Sequence, residues 1–369
     1  MQPAGLFGGG QFGRRLSRPG AGRIPVTVVT GFLGAGKTTL IRAALAHPAA
    51  ARTAVIVNEF GAAGVDDILL RTSSEAVTLI GNGCICCAAK NDLHRALRTL
   101  FAERETGAVP PFDRVVVETS GLSEPGPILQ SFATDRTVSN HYALEGLVTV
   151  VDAALAGGIA AEEWDEQVVL ADRLVLSKLD RAPRGAQAQL VARLSALNPH
   201  AALAEAGDVL GDPGFLFGSG ARVRPPYLCA PEAGTRTAGS RYETFTLAFA
   251  APFAWEVLTR ILDSLAALRG PDLLRVKGLV HVAGAAGPVV VHQVQHLSAP
   301  PEELLTWPDA DRRTRLVFIT RGLPREAVAA VFAAHLALLG LPGPQAEGAA
   351  EADMAALQSK ELQSASRLS

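Results

Sequence analysis

Residues 26–38 read V-T-V-V-T-G-F-L-G-A-G-K-T. A short β-branched run leads into Gly31, and the residues through Thr38 match a pattern of two glycines separated by four residues, then lysine and a hydroxyl residue. Glycines here allow left-handed backbone angles, so several N–H groups can turn inward at the start of the next helix and bind an anion. The stretch therefore predicts a phosphate-binding P-loop between a strand and a helix.

Two side chains of this loop are expected to act on the nucleotide itself. Lys37 is predicted to reach the β- and γ-phosphates, and the Thr38 hydroxyl is predicted to bind Mg²⁺, so both are candidate catalytic residues. An ordinary glycine-rich turn is the alternative, and the order of strand, full motif and helix-compatible residues disfavours it. The predicted phosphate-side contacts are Gly31, Gly34, Ala35, Gly36, Lys37, Thr38 and Thr39.

Around the loop, apolar runs typical of strands alternate with segments of helical periodicity. The predicted strands are residues 26–30, 54–58, 76–80, 114–118, 147–152, 173–177 and 201–204. The predicted helices are residues 37–46, 91–104, 126–133 and 184–197. Such alternation predicts an α/β fold of the P-loop NTPase type, with a mainly parallel sheet, helices on both faces, and phosphate-binding loops at the carboxyl ends of the strands.

A change of composition indicates a second domain. From residue 207 to 240 the chain is rich in Gly, Pro, Ala and Arg with little periodicity, which predicts an extended connector. Beyond it, predicted strands (242–249, 273–282, 288–295, 315–320) and helices (253–268, 325–338) indicate a smaller C-terminal α+β domain with an antiparallel sheet. The predicted organisation is a disordered leader (1–22), a P-loop domain (23–206), the connector (207–240), the C-terminal domain (241–340) and a flexible tail (341–369).

The bulk composition limits the partners. With 369 residues, 48% hydrophobic and 19% charged, the chain can bury a large core, and a soluble globular protein is expected. A net charge of −2 provides no positive field to attract nucleic acid or acidic membranes, so neither is an expected partner. The sequence contains neither an apolar run long enough to span a bilayer nor a secretory signal.

The predicted strand 114–118 ends in a carboxylate, Glu118, and Gly121 follows three residues later. In P-loop enzymes this arrangement places an acid beside the Mg²⁺ shell and a backbone N–H next to the γ-phosphate, so that the loop can sense hydrolysis. Alone, a glutamate at a strand end would be an ordinary turn residue. Together with the P-loop it predicts Glu118 as the magnesium-side catalytic acid and Gly121 as a nucleotide contact.

The predicted strand 173–177 leads into Ser177-Lys178-Leu179-Asp180, a variant of the N/T-K-x-D guanine signature with serine at the first position. The Asp180 carboxylate can accept hydrogen bonds from guanine N1–H and the exocyclic amine, a pattern that adenine does not offer, and Lys178 can lie across the base. Four such residues occur often by chance, but their place after a strand downstream of a P-loop favours a base site. The motif predicts GTP over ATP, with Ser177, Lys178 and Asp180 on the base side.

Three of the four cysteines lie in the run C-I-C-C at residues 84–87. Cysteines this close rarely meet disulfide geometry, which indicates reduced thiols in a cytoplasmic protein. Thiolates select Zn²⁺, Cu(I) and similar ions, so Cys84, Cys86 and Cys87 are predicted metal ligands. The fourth ligand of a tetrahedral ion could be water, Glu59, Asp66 or a donor from another protein. The alternative is that one or two of these cysteines pack as small apolar residues.

Taken together, these motifs closely resemble the CobW-like GTPases, relatives of the nickel-insertion GTPases of urease and hydrogenase maturation. They occur in the order G-F-L-G-A-G-K-T-T, N-E-F-G, N-G-C-I-C-C, E-T-S-G-L-S-E-P-G-P and S-K-L-D. Residues 275–279 (R-V-K-G-L) and 316–319 (L-V-F-I) are similar to that family's C-terminal domain. The resemblance spans roughly residues 24–338 and implies a GTP-hydrolysing metallochaperone or metal insertase that handles zinc or cobalt for a client protein. It also implies that Asp66 orients the attacking water, and the alternative for this residue is an ordinary solvent-exposed acid.

Two features depart from the family pattern. Many members have a glutamate after N-E-F-G, where this chain has Ala62. Many also carry a histidine-rich metal-storage stretch, whereas the 8 histidines here do not cluster, and His292 and His296 lie in a strand-like region. His94, in a predicted helix, could be a ligand, although a solvated surface histidine is the ordinary interpretation. These departures argue against metal storage and leave metal transfer untouched.

One mechanism is our main hypothesis for these motifs. GTP·Mg²⁺ binding is expected to order residues 58–67 and to bring the three cysteines of residues 84–87 into a tight metal site, which hydrolysis then releases. One competing hypothesis is a nucleotide-gated protein-interaction module with structural cysteines. The other is a small-molecule kinase, disfavoured by S-K-L-D and by the lack of an arginine-rich lid. The sequence predicts no oligomeric state.

Overall fold

The computed structural model describes residues 22–58, 68–72, 76–80, 91–155, 162–183, 185–218, 241–295, 297–298 and 301–341. In this part of the chain the first domain contains an eight-stranded sheet. Its strands are β1 (Ile24–Thr30), β2 (Thr53–Asn58), β3 (Ile68–Thr72), β4 (Ala76–Ile80), β5 (Arg114–Thr119), β6 (Tyr142–Asp152), β7 (Arg173–Ser177) and β8 (Ala202–Glu205).

The strand order is β4-β3-β2-β5-β1-β6-β7-β8. The six strands from β2 to β8 in this order are parallel, and β3 and β4 extend the sheet as an antiparallel pair. Parallel neighbours bring their carboxyl ends to one edge of the sheet. That edge carries the P-loop after β1, the Gly121 loop after β5 and the S-K-L-D motif after β7.

Both faces of this sheet are buried. Consecutive strand residues point to opposite faces, so Val28 and Val29, like Leu174 and Val175, enter two separate apolar clusters. One cluster packs against helices α2 to α6, and the other packs against α1 and α7. The described helices of this domain are α1 (Lys37–Leu45), α2 (Asn91–Thr106), α3 (Pro125–Thr134), α4 (Arg136–His141), α5 (Glu162–Val169), α6 (Ala186–Leu197) and α7 (Ala206–Gly211).

The C-terminal domain is a smaller antiparallel sheet with two helices. Its described elements are β9 (Tyr242–Phe249), α8 (Trp255–Arg269), β10 (Leu273–Val280), β11 (Val289–Val294), β12 (Leu297–Ser298), β13 (Glu302–Glu303), β14 (Thr314–Arg321) and α9 (Arg325–Leu338). The strand order is β12-β11-β10-β14-β9, and β13 pairs with β11. Phe245 and Phe318 pack under the two helices, whereas Leu274 and Ile319 join the core of the first domain. The sheet therefore contacts the first domain through the face that its helices leave open.

The predicted fold class is confirmed, and the structure adds elements that sequence patterns did not reveal. Each predicted strand and helix has a counterpart, with ends shifted by a few residues. Strands β3, β12 and β13 and helices α4, α5 and α7 were not predicted from the sequence. Of the predicted leader only Gly22, and of the predicted tail only Leu341, lie within the described residues. No helix in the described part of the chain is long and apolar enough to cross a bilayer.

The predicted start of the connector at residue 207 is too early. Helix α7 begins at Ala206, and the chain after it buries three consecutive apolar side chains, Phe215, Leu216 and Phe217, in the cluster beneath α1. The Gly and Pro content of this segment suggested a connector, but its apolar triplet packs against the sheet. The rest of the predicted connector, residues 219–240, lies outside the described residues.

Candidate functional site

The P-loop forms as predicted between β1 and α1. Gly34 and Gly36 have φ angles of 73° and 94°, which are the expected left-handed values. Gly31 has φ 143°, and a Cβ at this position would lie 2.3 Å from the carbonyl oxygen of Val150 on the neighbouring strand β6. A side chain is therefore excluded at Gly31. The Lys37 side chain folds back over the loop, and its ammonium group donates a hydrogen bond to the Gly31 carbonyl at 2.7 Å.

A hydroxyl and a carboxylate meet beside the loop. Strands β1 and β5 are parallel neighbours with Val29 opposite Glu118, so Glu118 lies next to the start of the P-loop. The Thr38 hydroxyl donates to Glu118 Oε1 at 2.5 Å, and Glu118 is only 2% exposed. One residue further along the same two strands, the Thr119 hydroxyl donates to the Thr30 hydroxyl at 2.9 Å. The two predicted magnesium-side residues are thus brought together.

The loop after β5 packs directly on the P-loop. A Cβ at Gly121 would lie 2.6 Å from the backbone nitrogen of Leu33, so the approach requires glycine. Gln167 of α5 holds this loop on its other side. The residue is fully buried, and its side-chain amide donates to the carbonyls of Gly121 and Ser123 at 3.1 and 3.2 Å. The predicted nucleotide contact at Gly121 therefore lies in a loop that is fixed on two sides.

The S-K-L-D motif is tied to the same P-loop. The Ser177 hydroxyl donates to the Ala35 carbonyl at 2.7 Å. Lys178, with a left-handed φ of 55°, donates to the Gly34 carbonyl and to Asp152 Oδ2, both at 2.6 Å. Asp152 ends strand β6 and is 3% exposed. The base-side and phosphate-side motifs are therefore joined through backbone carbonyls of the loop.

Asp180 stands apart from these contacts. It lies on a short 3₁₀ turn, Leu179–Arg181, and its side chain is 79% exposed. Arg181 approaches it only to 3.8 Å, and an exposed pair of this kind contributes little. The carboxylate is thus open to solvent at the same edge of the sheet as the P-loop, where an incoming base could reach it.

Comparisons with known proteins agree with this geometry. The model of the "CobW/HypB/UreG, nucleotide-binding domain" matches residues 25–205, and that of the "Cobalamin synthesis protein cobW C-terminal domain" matches residues 242–336. The zinc chaperone YjiA of Escherichia coli is 32% identical over 321 residues, which cover 84% of this chain and 98% of that protein. The chain belongs to the CobW/HypB/UreG family.

One further relative and a solved structure of YjiA support this result. A zinc chaperone CobW from Sinorhizobium sp is 31% identical over 88% of this chain and 99% of its own length. Among solved structures, Zn(II)-bound YjiA GTPase from Escherichia coli superposes with a TM-score of 0.61 at 29% identity, covering 85% of this chain and 98% of that one. Both relatives match across the two domains described above.

The predicted metal ligands of this family member lie outside the described residues: Cys84, Cys86, Cys87, Glu59 and Asp66. Within the residues that the structure does describe, no group of three or more His, Cys, Asp or Glu side chains could hold a metal ion.

Two of the histidines considered in the sequence, His94 and His292, have partners among the described residues. His94 is half-buried and pairs with Asp135 at 3.3 Å, so it is not a solvated surface histidine. Burial lowers its pKa, and Asp135 opposes that shift. His292 is half-buried against Arg275 at the domain contact, with its Nε2 3.2 Å from an Arg275 nitrogen. His296 lies outside the described residues.

Two residues of the site, Asp152 and Gln167, were not predicted from the sequence. Asp152 could have been predicted, because it ends a predicted strand in the same way as Glu118. In both cases an apolar run places a carboxylate at the edge of the sheet. Gln167 gave no comparable signal, because it lies in a helix that was not predicted and 46 residues from the glycine whose carbonyl it holds.

Proposed function

We propose that this protein is a GTP-hydrolysing metallochaperone of the cytoplasm that carries zinc, or cobalt, to a client protein. One observation supports it above all: the guanine-type motif and the phosphate loop are connected by direct hydrogen bonds from Ser177 to Ala35 and from Lys178 to Gly34. A phosphate loop and a base motif joined in this way form one nucleotide pocket. Family membership and the relatives named zinc chaperones support the metal cargo.

In this proposal different residues bind different parts of the nucleotide. Backbone N–H groups from Gly31 to Thr39 bind the phosphates, and Lys37 leaves its carbonyl partner to bind the β- and γ-phosphates. The Gly121 N–H meets the γ-phosphate, and Asp66 orients the attacking water. Asp180 selects guanine by accepting its N1–H and amine hydrogens.

The residues beside the loop fit a magnesium ion. Mg²⁺ prefers oxygen ligands from one or two side chains, and the Thr38 hydroxyl and the buried Glu118 carboxylate already converge to 2.5 Å. Thr38 would hold the ion directly and Glu118 would hold it directly or through water. When bound, the ion would neutralise charge that develops on the phosphate oxygens.

The metal cargo is assigned to Cys84, Cys86 and Cys87, with Glu59 or Asp66 as further candidate ligands. Strand register supports a link to the nucleotide. Ile68 of β3 pairs with both Ile56 of β2 and Ile80 of β4, so β4 ends at the same edge as β2. The C-x-C-C segment follows β4, which is four strands from β1, or about 19 Å at the usual strand spacing. Cys87 is seven residues beyond Ile80, and seven extended residues reach about 24 Å, so the chain length supports coupling between the two sites.

Nucleotide selection by Asp180 tests the proposal. We expect Asp180→Asn to weaken GTP binding about 10- to 100-fold, because a charged acceptor for two guanine hydrogens is lost. Arg181→Ala, on the same exposed turn, is the matched control and should leave the affinity unchanged. Calorimetric titration with GTP and ATP measures both variants.

ATP binding as tight as GTP binding, or an Asp180→Asn variant with wild-type GTP affinity, would contradict the proposed function. GTP hydrolysis that is indifferent to zinc and cobalt would favour the other hypothesis, a nucleotide-gated interaction module with structural cysteines.

A further inference from the structure

Helix α5 lies between the nucleotide site and the C-terminal domain. On the nucleotide side, the Gln167 amide is the donor to the carbonyls of Gly121 and Ser123, and the backbone carbonyl of Gln167 accepts the Thr149 hydroxyl at 2.6 Å. The Thr149 contact attaches the helix to strand β6, beside the P-loop strand β1. Movement of the loop after β5 therefore acts on this helix through a buried hydrogen-bonded group.

The same helix contacts the C-terminal domain at both ends. At its start, Glu162 pairs with Arg241 at 2.8 Å and lies 3.8 Å from Arg321. Just beyond its end, the carbonyl of Leu170 accepts a hydrogen bond from Arg275 at 2.7 Å, and Arg275 is 1% exposed. Glu162, Glu166 and Leu170 are four residues apart, so they share one side of the helix.

Glu166 is in the middle of that side. It is 7% exposed, and its pKa is raised by burial and by Glu124 of the loop that follows β5. On the C-terminal domain, the pKa of Tyr242 is raised to about 12 by burial and by Glu166. A Cβ at Gly126, at the start of α3, would lie 3.8 Å from Glu166 Oε1 and 4.0 Å from Gln295 Nε2. Loop, helix and C-terminal domain are thus packed as one continuous set of contacts.

The contacts above involve the nitrogen of the Gln167 side-chain amide but not its oxygen. Its Oε1 atom is buried and has no hydrogen-bond partner among the described residues. A buried acceptor without a donor is unfavourable, so a second arrangement of the loop that offers an N–H to this oxygen would be stabilised. Coupling between distant sites requires an element with two discrete arrangements, and a loop that bonds this oxygen would be the second arrangement here.

We propose that α5 couples the γ-phosphate state of the nucleotide site to the C-terminal domain, with Gln167 as the positioning residue on the nucleotide side. This inference rests on the proposed function. A γ-phosphate that draws the Gly121 N–H towards it shifts the Gly121 and Ser123 carbonyls, and the Gln167 amide follows them. Because a helix moves as a rigid unit, the displacement reaches Glu162 and Leu170 and changes their contacts with Arg241 and Arg275.

Hydrogen exchange measured peptide by peptide tests this proposal. The full chain is compared with GDP and with a non-hydrolysable GTP analogue, each at saturation. In the wild type we expect exchange in α5 and in β10 to differ about threefold or more between the two nucleotides. Gln167→Met should abolish that difference while GDP still protects the P-loop peptide, because an apolar side chain of similar length cannot hold the two carbonyls.

Two further variants make the test specific. Asp165→Asn alters another acidic residue of α5, one that pairs at 3.3 Å with Arg193 of the same domain, and should keep the wild-type difference. Glu162→Gln acts at the other end of the helix, where the side chain is 47% exposed, and should reduce the difference between the two nucleotides in the peptide at the start of β9, which carries its partner Arg241, without changing P-loop protection. If Gln167→Met does not fold, Glu162→Gln provides the test of the inference.

The outcomes separate the inference from the proposed function. A protected P-loop with no difference in β10 between the two nucleotides would overturn the inference, as would a wild-type difference in Gln167→Met. A P-loop that neither nucleotide protects would instead overturn the proposed function.

Discussion

At the scale of single residues, the predicted nucleotide contacts already hold one another in place. The Thr38 hydroxyl donates to Glu118, and the Lys178 ammonium donates to the Gly34 carbonyl. Each of these two hydrogen bonds fixes a polar side chain at the nucleotide site. Pre-organisation of this kind reduces the entropy that binding would otherwise lose, so folding itself prepares the site.

Gly121 provides a test at this scale. Gly121→Ala would place a methyl group 2.6 Å from the Leu33 backbone, which cannot move without distorting the P-loop. We therefore expect the loop after β5 to be displaced, with GTP hydrolysis reduced about 100-fold, roughly the effect of losing a main transition-state contact. Steady-state kinetics with GTP measures the change.

Gly126→Ala is the matched control. A methyl group at this position, in the first turn of α3, meets its nearest neighbour at an ordinary 3.8 Å. Alanine in a helix is more stable than glycine by about 0.5–1 kcal/mol, so thermal stability should rise slightly and hydrolysis should be retained. Equal losses of activity in the two variants would show that packing at Gly121 has no special role.

At the scale of elements, strong periodicity was sufficient to predict most of the fold. Apolar β-branched runs identified the parallel strands, because such strands are buried on both faces. The motifs at their carboxyl ends identified the P-loop, Glu118 and the S-K-L-D turn. Their contacts follow from topology, since parallel neighbours deliver these loops to one edge.

The elements that sequence patterns missed are short or unusual in composition. Helix α5 reads E-E-W-D-E-Q-V-V, with five polar residues in eight, yet Trp164 and Gln167 are completely buried or nearly so. Gln167 can be buried because its amide bonds the carbonyls of Gly121 and Ser123. These carbonyls lie on a loop that is distant in sequence, so the residues of α5 alone do not predict the burial. Residues 215–217 were misassigned because neighbouring Gly and Pro obscured an apolar triplet that the sheet covers.

At the scale of the whole molecule, a buried charge cluster joins the two domains. Asp172, just before β7, pairs with Arg275 at 3.3 Å and with Lys277, both on β10. Burial raises the pKa of Asp172, but the two cations outweigh this and hold it well below its usual range. His292 of β11 lies against Arg275, and its pKa is lowered well below the usual value by burial and by Lys277 and Arg275. Buried charges fix the register of a contact more reliably than they stabilise it.

His292 makes the stability of this molecule depend on pH. The folded protein keeps the imidazole neutral, whereas the unfolded chain takes up a proton below about pH 6.5. The unfolded state therefore binds more protons, and the free energy of unfolding decreases as pH falls from 7 to 5, by roughly 1–2 kcal/mol from this group. Denaturant titrations at several pH values in wild type and His292→Gln measure this contribution.

In His292→Gln that part of the pH dependence should disappear. His335→Gln is the control, because it removes a histidine of α9 that contacts Val331 and Ser264, outside the cluster. A His292→Gln variant whose stability falls with acid as steeply as the wild type would contradict this account of the domain contact.

The whole-molecule account depends on one coupling, between the guanine nucleotide pocket and the thiolates of Cys84, Cys86 and Cys87. If nucleotide sets the geometry of the metal site, each ligand must change the affinity for the other by the same factor. Replacing the three cysteines with serine should remove tight zinc binding. Cys229→Ser, which alters the one cysteine outside the C-I-C-C run, should not.

The most direct measurement is the equilibrium affinity for Zn²⁺ with a non-hydrolysable GTP analogue, with GDP and without nucleotide. We predict binding about tenfold or more tighter with the GTP analogue than with GDP, a coupling of about 1.4 kcal/mol. Equal zinc affinity in the three states, or a triple serine variant that binds zinc as tightly as the wild type, would contradict the account.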